Sequence, residues 1–447
     1  MSANIPLIRH NTLNSIFAYR DGQAILAAQF LRDVNALIQH LPQHRHILNL
    51  CTDRYHFAVG FAAALQKNQI SLLPPNYTPS FVARLQQDYP DLYCLADGPT
   101  ELQNIQTLQY PASLNTQHSA PAIPDISTQQ IAALVFTSGS TGQAVAHAKT
   151  WGSLSRGAAA AAARLGITAN SGMAILGTVP TQHMYGLESC LLLAMLNGLP
   201  LVAERPFFPA DICAQLAALP HPRCLITTPI HLRSLLQDNA ALPTLEFVLS
   251  ATANLPPQLA DEAEQKFAAP LYEIYGCTEA GMVASRRTTA GPAWHLMPEV
   301  TLQQTDTGSC VIGGHVEIEA PLGDIIEPNL DGTFNLHGRT ADLVNIAGKR
   351  TSLANLNHLL NEISGVTDGI FFMPDDSDGT VKRPLAFVVS NSLRSEDILR
   401  ELRKSIDAVF LPRPLYFVDS ISRNSTGKVT HDSLIKLLAT CKKFSRE

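Results

Sequence analysis

Short apolar runs that alternate with helix-like segments constrain the fold of this chain more than any other sequence feature. Between about residue 130 and residue 280, the strand-like runs are IAALVF, MAILGTV, RCLITT and EFVLSA. The segments between them, which include LESCLLLAML, DICAQLAAL and QLADEAEQKFAA, have the pattern of helices. This alternation is typical of parallel strands joined by crossover helices. The sequence therefore predicts a large layered α/β domain.

The last hundred or so residues have a different pattern. The runs VTDGIFFM, PLAFVVS and PLYFVDS have strand character. Between the last two lies a segment in which Ile398, Leu402, Ile406 and Val409 follow the spacing of one helix face. We expect a smaller α+β domain in this part of the chain.

Length and charge also indicate two domains. A chain of 447 residues exceeds what one hydrophobic core usually serves. From residue 340 onward there are 15 Lys and Arg against 13 Asp and Glu, whereas the preceding residues have 17 against 25. The predicted domains are therefore residues 1–338 and residues 339–447.

Composition excludes several classes of function. The net charge of -6 gives no broad cationic field, so nucleic acid is not an expected partner. The eight cysteines include no CxxC pair, which argues against a zinc site and against a disulfide scaffold. The sequence starts without a signal-peptide pattern, and its most apolar stretch, CLLLAMLNGLPLVA, is too short to span a membrane. These features predict a cytoplasmic protein with reduced thiols.

The most specific local signal is FTSGSTGQ, residues 136–143, which follows the apolar run IAALV. Its glycines allow main-chain N–H groups to face a ligand, and its hydroxyl groups can donate to phosphate oxygens. We interpret it as a phosphate-binding loop between a strand and a helix. It differs from a Walker A loop, because Gln143 and Ala144 follow the second glycine. The alternative is a surface turn rich in serine and glycine.

A second signal is YEIYGCTEAG, residues 272–281. The hydroxyl of Thr278 can hold an α-phosphate, the carboxylate of Glu279 can bind the Mg²⁺ that accompanies ATP, and Tyr275 can stack on adenine. The alternative is a solvated acidic turn.

Two further segments carry charged groups of the types that nucleotides require. Asp324 and Arg339 flank a predicted strand-turn-strand, where a carboxylate and a guanidinium suit the ribose hydroxyls. Lys428 lies on the glycine loop of SRNSTGKV. For an isolated lysine, exposure to solvent is the ordinary alternative.

Taken in order, TSGSTG, YGCTE, GD, GR and NSTGK closely resemble the motif series of the adenylate-forming superfamily. That superfamily includes acyl-CoA synthetases, luciferases and nonribosomal adenylation domains. The resemblance covers about residues 30 to 440, and it implies a large nucleotide-binding domain followed by a mobile C-terminal domain. Within the superfamily, the chain resembles acyl-CoA synthetases and ligases that load aryl or unsaturated acids onto carrier proteins.

The resemblance also implies roles for individual residues. Lys428 would bridge carboxylate and phosphate during adenylation, Thr278 would bind the α-phosphate, and Glu279 would hold Mg²⁺. VPTQHMYGLES and SATANLPPQL are similar to segments that border the acyl group, although His183 also fits a core or a surface position. The implied nucleotide-binding residues are Thr137, Ser138, Gly139, Ser140, Thr141, Gly142, Tyr275, Gly276, Asp324 and Arg339. The implied acyl pocket contains His183, Gly186, Ser250 and Ala251, and the implied thiol-acceptor loop contains Gly348, Lys349 and Arg350.

The implied reaction is activation of a carboxylic acid as an acyl-adenylate, and the implied substrate is an aryl or unsaturated acid. The reaction would consume ATP, require Mg²⁺ and release pyrophosphate. The acyl group would then pass to the thiol of CoA or of an acidic acyl carrier protein. The cationic C-terminal part suits an acidic carrier protein. Two alternatives are a degenerate relative that acts as a sensor or scaffold, and an unrelated phosphotransferase.

The sequence departs from the family pattern at two points. Ala144 and Val145 occupy the positions of the usual proline and lysine, and the nearest basic residues are His147 and Lys149. We expect Lys149 to replace the missing lysine near the phosphates. Ala341 occupies the usual hinge position, which is charged in many family members.

Overall fold

The chain forms two compact units in this computed structural model. It describes residues 3–444, apart from residues 75, 103, 115–121, 139–143, 238–241, 307, 340–342, 347–348, 375–382 and 424–428. The first unit comprises Met1–Gly291, His295–Gln303 and Cys310–Ala320; the second comprises Pro292–Trp294, Gln304–Ser309 and Pro321–Glu447. The boundary expected between residues 338 and 339 stays a prediction.

The elements up to residue 296 belong almost entirely to the first unit. Its strands are β1 (Asn4–Pro6), β2 (Ile16–Arg20), β3 (Gln23–Leu26), β4 (His46–Asn49), β5 (Ile70–Leu73), β6 (Leu92–Ala96), β7 (Thr107–Gln109), β8 (Asp125–Ser127), β9 (Ile131–Ser138), β10 (Ala144–Thr150), β11 (Ala174–Gly177), β12 (Leu201–Val202), β13 (Arg223–Thr227), β14 (Val248–Ser250), β15 (Leu271–Cys277), β16 (Gly281–Arg287) and β17 (His295–Leu296). Its helices are α1 (Ala27–Ile38), α2 (Arg54–Gln66), α3 (Pro79–Asp88), α4 (Trp151–Arg164), α5 (Met184–Gly186), a π-helical segment (Leu187–Leu192), α6 (Leu193–Asn197), α7 (Pro209–Ala218), α8 (Pro229–Gln237) and α9 (Pro257–Phe267).

Two large sheets organise the first unit. One has the strand order β10-β9-β5-β4-β6-β7, and its strands are parallel except for the β9–β10 pair. The other has the order β17-β16-β15-β14-β13-β11-β12-β2-β3, and it is parallel from β15 to β2. The predicted layered α/β architecture is therefore confirmed. The run IAALVF is an exception in one respect, because it lies in the six-stranded sheet and the other three runs lie in the nine-stranded sheet.

The parallel strands are apolar because helices cover them. All five residues of β13 are buried. In α9, Ala260, Ala263 and Phe267 lie on one face and pack with β13 and β14 residues in a single apolar cluster. This packing fixes the strand ends on which the candidate site depends.

The prediction that a helix directly follows the phosphate-loop segment is wrong. The chain returns from residues 139–143 as strand β10, which pairs antiparallel with β9. Helix α4 begins only at Trp151, after Thr150 has accepted a hydrogen bond from the Ser153 N–H as its N-cap. Strand β10 therefore stands between the phosphate-loop segment and α4 in the chain.

The C-terminal elements follow. The strands are β18 (Thr301–Thr305), β19 (Gly308–Gly313), β20 (Val316–Leu322), β21 (Asp324–Pro328), β22 (Phe334–Arg339), β23 (Leu343–Ile346), β24 (Lys349–Ser352), β25 (Asp368–Phe372), β26 (Leu385–Val389) and β27 (Leu415–Phe417). The helices are α10 (Leu353–Asn361), α11 (Ser395–Ser405) and α12 (His431–Phe444).

The second unit has the expected α+β character. β25, β26 and β27 form a three-stranded sheet, and α10 and α11 pack on an apolar cluster that includes β25 and β26 residues. Helix α11 is shorter than its sequence pattern predicts, because the main chain is extended at Ile406. Ile406 and Val409 nevertheless pack against the same cluster as Ile398 and Leu402.

Across the part of the chain that the structure describes, no helix is both long enough and apolar enough to cross a membrane.

Candidate active site

The carboxyl ends of the parallel strands bring several of the expected residues to one edge of the nine-stranded sheet. Thr278 follows β15, Ser250 ends β14, and the segment that contains His183 follows β11. These strands lie in the order β15-β14-β13-β11. In open parallel sheets, ligands bind at this edge.

The Thr278–Glu279 turn joins β15 to β16, and close main-chain packing shapes it. Cys277 pairs with Gly281 across the hairpin, and the register shifts after Tyr275. A Cβ atom at Gly276 would collide with the main chain of Gly281. Only glycine therefore fits at Gly276 without a shift of the main chain. Thr278 and Glu279 are half-buried on this turn.

Two basic residues of β10 approach Glu279. His147 Nε2 lies 3.7 Å from Glu279 Oε1. The Lys149 ammonium donates a hydrogen bond to the main-chain oxygen of Glu279 at 2.5 Å, and Lys149 is 7% exposed. His147 and Lys149 share one face of the strand because they are two residues apart. Lys149 therefore contacts the turn that carries the carboxylate, and its expected role beside the phosphates stays a prediction.

Glu188 lies beneath the same turn and was missed from the sequence. It belongs to the π-helical segment and is 9% exposed. Burial raises the pKa of Glu188 to about 7, while the Lys149 charge and a hydrogen bond from the main chain of Met282 act in the opposite direction. Burial lowers the pKa of Lys149, and the carboxylate of Glu188 opposes that change. A charged residue within the apolar stretch GLESCLLLAML was the signal available in the sequence.

The segment that follows β11 carries His183 and Gly186. His183 is the N-cap of α5 and is half-buried, and the main chain of Pro180 leaves no room for a side chain at Gly186. The Tyr185 hydroxyl lies 3.1 Å from the main-chain oxygen of Thr227 and 3.0 Å from that of Leu249. This phenol fixes the segment against β13 and β14.

Ser250 and Ala251 are both buried at the end of β14. Among the described residues, the Ser250 hydroxyl has no hydrogen-bond partner. Thr252, the next residue, has a φ of 79°, a left-handed conformation that is costly for a β-branched residue. Strained main chain of this kind clusters at binding sites.

A polar cluster that the sequence did not reveal follows β13. Thr228 Oγ1 lies in hydrogen-bond contact with His231 Nδ1 at 2.9 Å, and Thr178 Oγ1 is 3.4 Å from the same nitrogen. Burial lowers the pKa of His231, and the nearby Arg205 charge adds to this effect. The ring of Phe207, which is 67% exposed, contacts the His231 ring edge to face. A neutral imidazole with one nitrogen occupied can hydrogen-bond a ligand through the other.

In the second unit, the expected strand-turn-strand is present. Asp324 in β21 is directly opposite Arg339 in β22. Asp324 is half-buried, and of Arg339 only the main chain is described.

The remaining expected residues are described in part or lie outside the described residues. For Thr137, Ser138, Lys349 and Arg350, the structure describes strand main chain only. Those outside the described residues are Gly139, Ser140, Thr141, Gly142, Ala341, Gly348 and Lys428.

Among the described residues, no group of three or more His, Cys, Asp or Glu side chains could hold a metal ion. A divalent ion at Glu279 would therefore need most of its oxygen ligands from elsewhere.

Comparison with known proteins identifies the relatives of this chain. The family model described as AMP-binding enzyme matches residues 39–332. A 2-succinylbenzoate–CoA ligase from Staphylococcus epidermidis is 24% identical over 333 residues, which is 67% of this chain and 69% of that protein. A 4-coumarate–CoA ligase from Halorhodospira halophila is 28% identical over 321 residues, 69% of this chain and 78% of that protein. The solved o-succinylbenzoate CoA synthetase from Bacillus subtilis, in complex with its acyl-adenylate intermediate, shares the fold with a TM-score of 0.82 and 18% identity, over 95% of this chain and 96% of that one.

Proposed function

The chain belongs to the family of AMP-binding enzymes, and we propose how its residues serve an AMP-forming acid–thiol ligase. The enzyme activates a carboxylic acid with ATP, releases pyrophosphate and forms an acyl-adenylate. It then passes the acyl group to a thiol. The alternatives of a degenerate sensor and of an unrelated phosphotransferase are not favoured, since the matched relatives are named as CoA ligases.

The observation that carries this proposal is the anchored Thr278–Glu279 turn at the carboxyl edge of the parallel sheet. A hydroxyl and a carboxylate stand side by side there, both half-buried. The Thr278 hydroxyl donates to the α-phosphate of ATP. Tyr275 and Gly276, which precede the turn on β15, border the adenine.

Glu279 fits a magnesium ion that arrives with ATP. Mg²⁺ prefers oxygen ligands and is commonly held by one or two carboxylates together with substrate phosphates. The single carboxylate at this turn matches that donor set. When bound, the ion neutralises phosphate charge, and the protein contributes the Glu279 oxygens to hold it.

The remaining groups orient the nucleotide and reduce charge repulsion. An anionic carboxylate has to approach an anionic triphosphate, so the site needs fixed cations and donors. Asp324 and Arg339 bind the ribose hydroxyls, a role that their opposed positions in the hairpin support. Lys428 bridges the reacting carboxylate and the phosphate, and residues 137–142 donate to the phosphates.

We place the acyl group between His183 and the ends of β13 and β14. Gly186, Ser250 and Ala251 border it, and His231 lies where a polar group of the acid would need a partner. Two matched relatives are named for 2-succinylbenzoate and 4-coumarate, which supports an aryl or unsaturated acid.

The acceptor is the phosphopantetheine thiol of CoA or of an acidic acyl carrier protein, which meets Gly348, Lys349 and Arg350. Of the C-terminal cations, Lys404 is paired with Glu401 at 2.7 Å. Exposed Arg383 and Arg403 are therefore better placed to attract an acidic partner. Thioester formation with a carrier protein should fall as salt increases. Equal rates with CoA and no salt dependence would leave CoA as the acceptor.

The proposed function is tested by acid-dependent exchange of labelled pyrophosphate into ATP. The acid panel should include 4-coumarate, 2-succinylbenzoate and aliphatic acids of matched length. Exchange with at least one aryl acid is the expected result, because only a reversible adenylate incorporates the label. Absence of exchange across the whole panel would contradict the activity.

A further inference from the structure

The ammonium group of Lys149 is buried against the main chain of the Thr278–Glu279 turn. It donates to the Glu279 carbonyl, and only 7% of the residue is exposed. A hydrogen bond from a charged donor is roughly twice as strong as a neutral one. The Glu279 main chain is thus held by a cation that comes from the strand following the phosphate-loop segment.

Glu188 contacts the turn from beneath. Its carboxylate lies so close to Gly281 that an added Cβ atom there would be 2.5 Å from Oε1. It also accepts a hydrogen bond from the main chain of Met282. The imidazole of His315, another buried group, lies 2.7 Å from the Met282 carbonyl through Nε2. Buried polar side chains therefore hold this main chain at the Glu279 carbonyl and at the N–H and carbonyl of Met282.

We propose that Lys149 is a positioning residue: its ammonium, together with the packing of Glu188 beneath the turn, fixes the turn so that the Glu279 carboxylate is already oriented for magnesium-bound ATP. This inference rests on the proposed function of Glu279. A carboxylate on an unanchored turn would have to be ordered each time the nucleotide binds, and that cost weakens binding. His147, which approaches the carboxylate itself, comes from the same strand face and would move with Lys149.

The test compares Lys149→Met with Lys67→Met. Lys67, the C-cap of α2, is a suitable control because it also donates to a main-chain carbonyl, that of Leu41 at 2.8 Å, which does not belong to the Glu279 turn. ATP binding is measured by calorimetry without acid over a series of Mg²⁺ concentrations, and pyrophosphate exchange is measured over the same series. In Lys149→Met, the Mg²⁺ concentration for half-maximal binding should rise about 10- to 100-fold, the range expected for one hydrogen bond to a charged group. The KM for the acid should stay unchanged, and Lys149→Arg should restore most of the Mg²⁺ response.

Two outcomes overturn the proposal: an unchanged Mg²⁺ response in folded Lys149→Met, or the same change in Lys67→Met. If Lys149→Met does not fold, the double variant Lys149→Met/Glu188→Gln removes both charges together, which costs less than leaving one buried alone. A raised Mg²⁺ requirement in the folded double variant supports the proposal, and a wild-type requirement contradicts it. Wild-type protein without any exchange would instead mean that the proposed function fails, so the two failures are distinguishable.

Discussion

Replacement of Glu188 by glutamine should remove a pH dependence of stability that is built into the first unit. Burial raises the pKa of Glu188 from its ordinary value of 4.5 to about 7, against the effects of Lys149 and Met282. Between pH 4.5 and about pH 7, the Glu188 carboxyl has lost its proton in the unfolded chain and still holds it in the folded chain. This contribution to stability is therefore complete below pH 4.5 and is lost as pH rises through about 7. At about 1.4 kcal/mol per pH unit, the loss amounts to about 3 kcal/mol.

The assay is urea unfolding of wild type and Glu188→Gln between pH 4.5 and pH 8. Fluorescence can follow the relevant unit, since one of the two tryptophans, Trp151, is buried in it. Glutamine keeps the shape of the side chain and an acceptor for the Met282 N–H. The free energy of unfolding of Glu188→Gln, relative to wild type, should rise by about 3 kcal/mol over this range. If the difference in unfolding free energy between the two proteins stays constant within about 0.5 kcal/mol from pH 4.5 to pH 8, the reasoning is refuted. That limit is the accuracy with which the effects of independent sites usually add.

Three other predictions concern different parts of the chain. Burial acts to raise the pKa of Glu264, but hydrogen bonds from Arg287, the Leu271 N–H and Thr289 lower it overall. The stability that this carboxylate contributes is therefore present above its ordinary pKa and is lost in acid. Glu264→Gln should therefore be less stable than wild type at pH 7, and urea unfolding should show the difference shrinking as pH falls below 4. Gly276→Ala should lower the free energy of unfolding by about 1–3 kcal/mol through overpacking and should slow pyrophosphate exchange. Gly98→Ala, where an added Cβ atom meets nothing within 4 Å, is the control and should change neither thermal unfolding nor exchange. Lys428→Ala should slow pyrophosphate exchange about 10²–10³-fold and should spare acyl transfer from a supplied acyl-adenylate. A bulky residue at Gly348 should block acyl transfer and leave pyrophosphate exchange intact. Equal loss of both half-reactions in both variants would contradict separate roles.

The elements of the fold were predictable where local pattern and final environment agree. The buried strands β11, β13 and β14 are short apolar runs, and α9, which follows β14, buries Ala260, Ala263 and Phe267 on one face. The strand β10 was missed because AVAHAKT is rich in alanine, the strongest helix former, and its pairing with β9 decides its conformation. The assignment of β9 to a different sheet from β11 was also beyond local pattern, because sheet order depends on contacts between distant residues.

For the candidate site, motif order singled out residues that the structure places at strand ends, and their roles stay predictions. The turn with Thr278 and Glu279 was identified because its residue types match nucleotide chemistry. Glu188 was missed because its neighbours are apolar and its role depends on Gly281, which is 93 positions away in the chain. His231 was missed for a similar reason, since its contact with Thr178 joins two separate strand ends.

The loss of the usual proline and lysine at positions 144 and 145 gains a structural explanation from β10. Four residues of a strand span about 13 Å, so a lysine at position 149 cannot occupy the place of one at position 145. Val145 is 49% exposed near the loop end of the strand, while His147 and Lys149 face the Glu279 turn further along. Lys149, which contacts the Glu279 turn, therefore does not restore a cation at the place of position 145. The β- and γ-phosphates would then depend on loop donors and on Mg²⁺, and ATP binding should respond to Mg²⁺ more steeply here than in relatives that retain the lysine.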